Sequence, residues 1–90
     1  MDSIIRPASA GTLESSDVYV QIAPGTNGIE IDLHSVVQAQ FGDEILAVIR
    51  EVLSENGVEQ AALTVRDRGA LDCVIRARVE TAILRGKGED

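Results

Sequence analysis

Aromatic side chains are nearly missing from these 90 residues: Tyr19 and Phe41 stand alone, and tryptophan does not occur. A hydrophobic core must then be assembled from Val, Ile, Leu and Ala. A base-stacking surface is excluded too, the more so because the net charge is −7, whereas a nucleic-acid binder needs a dominant basic face. Cysteine is represented by Cys73 alone, so no internal disulfide can form. One histidine, His34, and one cysteine match no usual metal-ligand spacing. A working nucleophilic triad also needs an orienting acid and an oxyanion site, so His34 reads as structural and Cys73 as a small buried hydrophobe; no catalytic residue and no metal ligand is expected. The single lysine, Lys87, lies between two glycines near the end of the chain, which excludes swinging arms attached to a lysine at a hairpin tip. No apolar run approaches the roughly 20 residues of a membrane-spanning helix. The start lacks a basic region followed by an apolar one. A cytoplasmic protein that touches neither membrane nor nucleic acid is expected.

What is present is unevenly charged. Residues 1–65 hold two basic groups, Arg6 and Arg50, against ten acids, whereas residues 66–88 hold six basic groups against three acids. The acidic portion could steer the molecule toward basic partner surfaces or serve solubility alone.

Apolar periodicity outlines the fold. Val18, Val20 and Ile22 alternate with Tyr19, Gln21 and Ala23, the period of a strand with one apolar face. Residues 9–14 are placed as its antiparallel partner across the Ser15-Ser16 turn. Pro24-Gly25-Thr26-Asn27-Gly28 is a cluster of turn formers, after which Ile29, Ile31 and Leu33 resume the alternation, so a second hairpin is expected. Ser35, with Gln38 three residues on, fits a capping box. Val37, Phe41, Ile45, Val48 and Val52 then share one helical phase that Leu46, Ile49 and Leu53 widen. The main helix is placed at about 43–56, with Gly42 and Asp43 splitting off its front turn. Asn56-Gly57 ends it, Ala61, Leu63 and Val65 mark a further strand, and Asp67-Arg68-Gly69 turns into a helix over about 70–85. Leu71, Val74, Ile75, Val79, Ala82 and Ile83 form its apolar face, while Asp72, Arg76 and Glu80 supply ion-pair support on another. The order predicts an α+β fold, a two-layer sandwich in which two helices cover a small, mainly antiparallel sheet. Residues 1–90 make a single domain with loose termini at 1–7 and 86–90. A four-helix bundle does not fit the strand-like first third.

One segment could carry chemistry. Glu14-Ser15-Ser16-Asp17 places two serines in a polar turn, where they either shape the chain and satisfy backbone donors or offer a hydroxyl to a modifying enzyme. Asp2-Ser3-Ile4 has the look of the attachment motif of fatty-acid-type carriers, but nothing precedes it to present it, and it reads as chance.

Gly11-Thr12-Leu13-Glu14-Ser15-Ser16-Asp17, Ile22-Ala23-Pro24, Gln40-Phe41-Gly42-Asp43 and Gly69-Ala70-Leu71-Asp72-Cys73-Val74-Ile75-Arg76-Ala77-Arg78 resemble, in order and at matching separations, the signatures of the citrate lyase acyl carrier subunit. The resemblance spans about residues 7–85. It implies that Ser15 carries a covalent 2'-(5''-triphosphoribosyl)-3'-dephospho-CoA group in phosphodiester linkage. Ser16, where relatives vary and often hold glycine, is the less favoured site. It further implies a non-catalytic carrier of acetyl and citryl thioesters, serving acyl-transferase (alpha) and lyase (beta) subunits of a hetero-oligomeric complex that converts citrate to acetate and oxaloacetate, and loaded by a prosthetic-group transferase. Glu14 and Asp17 would then repel the anionic arm from the surface. The carrier of a citramalate lyase or malonate decarboxylase complex is the near alternative, and an unmodified acidic interaction module the distant one.

Overall fold

A computed structural model describes residues 3–89. Its elements follow the expected order: β1 (Ala8–Gly11), β2 (Val18–Ala23), β3 (Ile29–Ser35), α1 (Gln38–Glu55), β4 (Ala61–Asp67) and α2 (Asp72–Lys87). They form an α+β sandwich, with both helices on one face of a four-stranded sheet. The alternating residues predicted to be apolar face the helices: Val18, Val20, Ile22, Leu33, Ala61, Leu63 and Val65 are buried against Ile45, Ile49, Val52, Leu53, Ile75, Val79, Ala82 and Ile83.

The strand order β1-β2-β4-β3 corrects the expected second hairpin. β2 pairs antiparallel with β1 and with β4, and β3 pairs parallel with β4. β2 and β3 are therefore not neighbours. The Pro24–Gly28 segment carries the chain past a vacant strand position, α1 returns it along the covered face, and β4 enters the gap. Parallel neighbours require such a crossover, and a helix supplies it. With pairing partners on both sides, β2 and β4 are the strands whose inward positions are all buried: Val18, Val20 and Ile22 on the one, Ala61, Leu63, Val65 and Asp67 on the other.

Four local readings also change. α1 runs unbroken over 18 residues, because Gly42 is buried within it and does not divide it. The Ser35–Gln38 box is half formed: the Gln38 side chain accepts the Ser35 N–H at 3.1 Å, but the Ser35 hydroxyl accepts from Val37. Phe41, expected in the apolar stripe, is 45% exposed. On α2, Arg76 reaches across to Glu51 and Glu55 of α1, so its ion pairs join the two helices and do not run along α2 to Asp72 and Glu80 as expected.

Residues 3–7 and 86–89, expected to be loose, hold one another; Met1, Asp2 and Asp90 of those two stretches lie outside the described residues. Ile4 is buried in the core. The N–H groups of Ile5 and Arg6 donate to the Gly86 carbonyl at 2.9 and 3.3 Å, and the Arg6 Nε donates to the Arg85 carbonyl at 2.9 Å. Arg85 in turn reaches the Ser9 carbonyl at 2.8 Å. The Ile4 side chain packs over Gly86, where α2 has no side chain of its own. Ile4→Ala is expected to lower the unfolding free energy by about 2–3 kcal/mol, as large-to-small core changes do. Urea denaturation followed by circular dichroism checks this, and an unchanged midpoint would return the segment to a loose tail.

Candidate functional site

The β1–β2 connection, residues 12–17, begins at a backbone approach that only glycine permits. Gly11 has φ 93°, and a Cβ there would lie 1.8 Å from the Val18 carbonyl oxygen. From there the loop is organised around one carboxylate. Asp17 Oδ2 accepts the Thr12 hydroxyl at 2.7 Å, Oδ1 accepts the Val18 N–H at 2.8 Å, and the Arg78 guanidinium donates to both oxygens at 3.1 and 3.0 Å. The Thr12 Oγ1 also accepts the Glu14 N–H. A fork-to-fork arginine contact of this kind fixes direction as well as distance.

Backbone bonds tie the loop to the end of β4. Ser16 N–H donates to the Arg68 carbonyl at 2.9 Å, Arg68 N–H donates to the Asp17 carbonyl at 2.9 Å, and the Arg68 side chain reaches the Leu13 carbonyl at 3.3 Å. Beneath this junction Asp67 is 1% exposed. Its carboxylate accepts the Ser35 hydroxyl at 2.8 Å and the Ala70 N–H at 2.9 Å, and its carbonyl accepts the Val36 N–H. The β1–β2 loop, the β3–α1 junction and the β4–α2 turn thus meet at one end of the sheet.

The two serines sit at the tip of this braced loop. Asp17 N–H donates to the Glu14 carbonyl at 3.1 Å, closing a four-residue turn with Ser15 and Ser16 at its centre, both exposed. Ser16 has φ 66°, the one positive value at a non-glycine residue among those described. Positive φ at the third turn position is the type II pattern, which favours glycine. This supplies a physical reason for the glycine often found there in the family that the sequence resembles. The Ser15 hydroxyl makes no hydrogen bond among the described residues.

Other expected features fall differently. Glu14 is exposed as the repulsion idea requires, but the Asp17 side chain is only 14% exposed and is neutralised by Arg78, so it is a brace and not a repelling charge. Arg78 lay inside a quoted signature, yet 61 residues separate it from Asp17 and nothing local marks the pairing. His34 is exposed on β3, with Nε2 3.1 Å from Asp32. Cys73, expected to be buried, is exposed on the first turn of α2. No group of three or more His, Cys, Asp or Glu suited to a metal ion occurs among the described residues, and no described helix is long and apolar enough to cross a membrane.

The hydrogen bonds from Thr12, Arg78 and Val18 hold the Asp17 pKa down, from 3.8 to about 2. A carboxyl group whose pKa is depressed by folding contributes stability that is complete well above 3.8 and is lost as pH falls toward 2. Asp17→Asn should therefore lower the melting temperature at neutral pH and flatten its decline between about pH 4 and pH 2. Thermal melts of both proteins across that range check this; parallel pH profiles would deny Asp17 the bracing role.

Comparison with known proteins accords with this architecture. Residues 5–86 match the family model described as the malonate decarboxylase delta subunit (MdcD). The citrate lyase acyl carrier protein of Enterobacter sp. (strain 638) is 52% identical over 86 residues, covering 96% of this chain and 89% of that one. Citrate lyase acyl carrier protein 2 of Salmonella typhi is 53% identical over 83 residues, covering 91% and 86%. A chain in the crystal structure of a Pseudomonas malonate decarboxylase hetero-tetramer in complex with malonate superimposes with a TM-score of 0.77 at 20% identity, covering 93% and 91%, a likeness of fold. With half of its residues identical to theirs over nearly its whole length, the chain belongs to the acyl carrier protein family of citrate lyase, within the broader family that the malonate decarboxylase delta subunit model describes.

Proposed function

We propose that the chain is the acyl carrier subunit of a citrate lyase complex and that Ser15 is its attachment residue. The observation that carries the site is the contrast within one loop: a tightly braced base formed by Thr12, Asp17 and Arg78, and an exposed, unbonded Ser15 hydroxyl at the tip. The donor set fits a phosphodiester-linked group, since an unencumbered serine oxygen can be taken by a transferase without breaking a native contact. When attached, the 2'-(5''-triphosphoribosyl)-3'-dephospho-CoA arm supplies a terminal thiol that holds acyl groups as thioesters. The chain's own part is presentation. Arg78 and Asp17 keep the attachment turn in one orientation, and the Ser16 and Arg68 backbone bonds prevent it from folding away. A serine hydroxyl is a weak nucleophile, so the activating base belongs to the transferase. The carrier performs neither chemical step, and its expected partners are that transferase and the acyl-transferase (alpha) and lyase (beta) subunits, in the cytoplasm. Service in a malonate decarboxylase complex is the second reading, favoured by the family model and by the structural neighbour.

Intact-mass measurement after incubation with the transferase and its prosthetic-group donor tests the site. Ser15→Ala should remain unmodified while keeping the wild-type melting temperature within a degree or two. Ser16→Gly should load normally and change stability by no more than about 1 kcal/mol, because relief at positive φ is offset by added freedom in the unfolded chain. Loading of Ser15→Ala but not of Ser16→Ala would move the site by one residue. Co-elution of the loaded protein with citrate lyase subunits, and not with malonate decarboxylase subunits, is the expected result for the first reading.

A further inference from the structure

At the end of the sheet that presents Ser15 there is an open groove of about 320 Å³, lined by Leu13, His34, Ser35, Val36, Asp67 and two arginines, Arg66 and Arg68. The chain as a whole is acidic, yet this groove is not. Arg66 lies in register with Tyr19 of β2 and His34 of β3, is exposed, and its side chain has no hydrogen bond or ion pair among the described residues. Arg68 spends one guanidinium nitrogen on the Leu13 carbonyl and keeps its other donors. Asp67, the one acid in the groove's lining, is occupied by Ser35 and Ala70, and Asp17 of the adjoining turn by Arg78.

We propose that this groove, between Leu13, Val36, Arg66 and Arg68, holds phosphate groups of the arm carried by Ser15. The inference rests on the attachment reading and deepens it. Leu13, one wall of the groove, is two residues from Ser15, and the attachment turn is bonded to Arg68 through Ser16. Guanidinium groups match phosphate oxygens in pairs, and they do so at greater strength where apolar neighbours thin the surrounding water. Leu13 and Val36, 50% and 64% exposed, stand as such neighbours. The volume is at the lower end of the range for small-molecule sites, about 300–1,000 Å³, which suits a pair of phosphates and not a whole nucleotide arm. Docking the phosphates there would fix the root of the arm while its thiol end stays free.

The test compares unloaded and loaded protein by nuclear magnetic resonance, after peptide mapping has located the arm. Loading should shift backbone amides at Leu13, His34 to Val36 and Arg66 to Arg68 as well as those of the turn itself, and should broaden the arm's phosphorus resonances. Both effects should diminish in Arg66→Gln, a variant that loses no side-chain hydrogen bond or ion pair of the unloaded protein. Sodium pyrophosphate added to unloaded protein should perturb the same groove residues, with binding roughly threefold to fivefold weaker in Arg66→Gln. An arm mapped to Ser15 whose loading shifts only residues 14–17, with phosphorus linewidths unaltered by Arg66→Gln, overturns the groove while leaving the attachment reading standing. An arm mapped elsewhere ends both. Groove residues that respond only when lyase subunits are added would assign the arginines to a protein partner and likewise overturn the proposal.

Discussion

A loop can hold one shape only when its polar groups converge on something fixed, and in this chain that fixed point is the bidentate contact between Arg78 and Asp17. Arg78 is carried by a helix that its neighbours Ile75, Val79 and Ala82 lock into the core. Asp17 passes that rigidity to Thr12 and Val18 and so to both ends of the β1–β2 connection. The pair is partly exposed, and surface ion pairs as a class contribute little to stability. Its value here is directional: it converts the packing of α2 into the orientation of a turn that has no core of its own.

The placement of β4 explains why so much meets at one end. A strand inserted between β2 and β3, antiparallel to one and parallel to the other, aligns the start of β2, the end of β3 and its own end. Val18 and Ser35 are both in register with Asp67, so that one buried carboxylate serves the junctions beside it. A hairpin of β2 and β3 would also have joined the end of β2 to the start of β3 by a tight turn, but β4 would then not lie beside β2, where its Asp67 and the Arg68 that follows it meet the serine turn.

The elements were legible because apolar alternation and helical phase report which face each residue shows, and that depends on local periods. The antiparallel pairing of β1 with β2 was legible as well, but the supposed pairing of β2 with β3 was not, because the Pro24–Gly28 turn chemistry is equally compatible with a hairpin and with a chain that moves one strand further on. Ile4 gave no signal for the same reason: one buried side chain in a segment without a period cannot be told from a loose one. Ser15 stood out only through the resemblance, since a serine in a polar turn has no distinguishing local mark. The bracing role of Asp17 needed coordinates, for its partner comes from the far end of the chain. Phe41 was misplaced by its helical phase and Cys73 by the usual burial of free cysteine: both lie near helix starts, where the stripe of burial has not yet closed over the helix.

The clasp between residues 3–7 and 86–89 lies at the end of the sheet away from the serine turn, because β1 leads from it toward that turn and α2 leads back. Cys73, the single thiol, sits on the first turn of α2 at the other end. The molecule therefore comes with two separate handles for the bench. An affinity tag or surface tether extended from the clasp stands clear of the serine, and a thiol-reactive fluorophore at Cys73 reports from the serine-bearing end of the sheet without a cysteine having to be introduced.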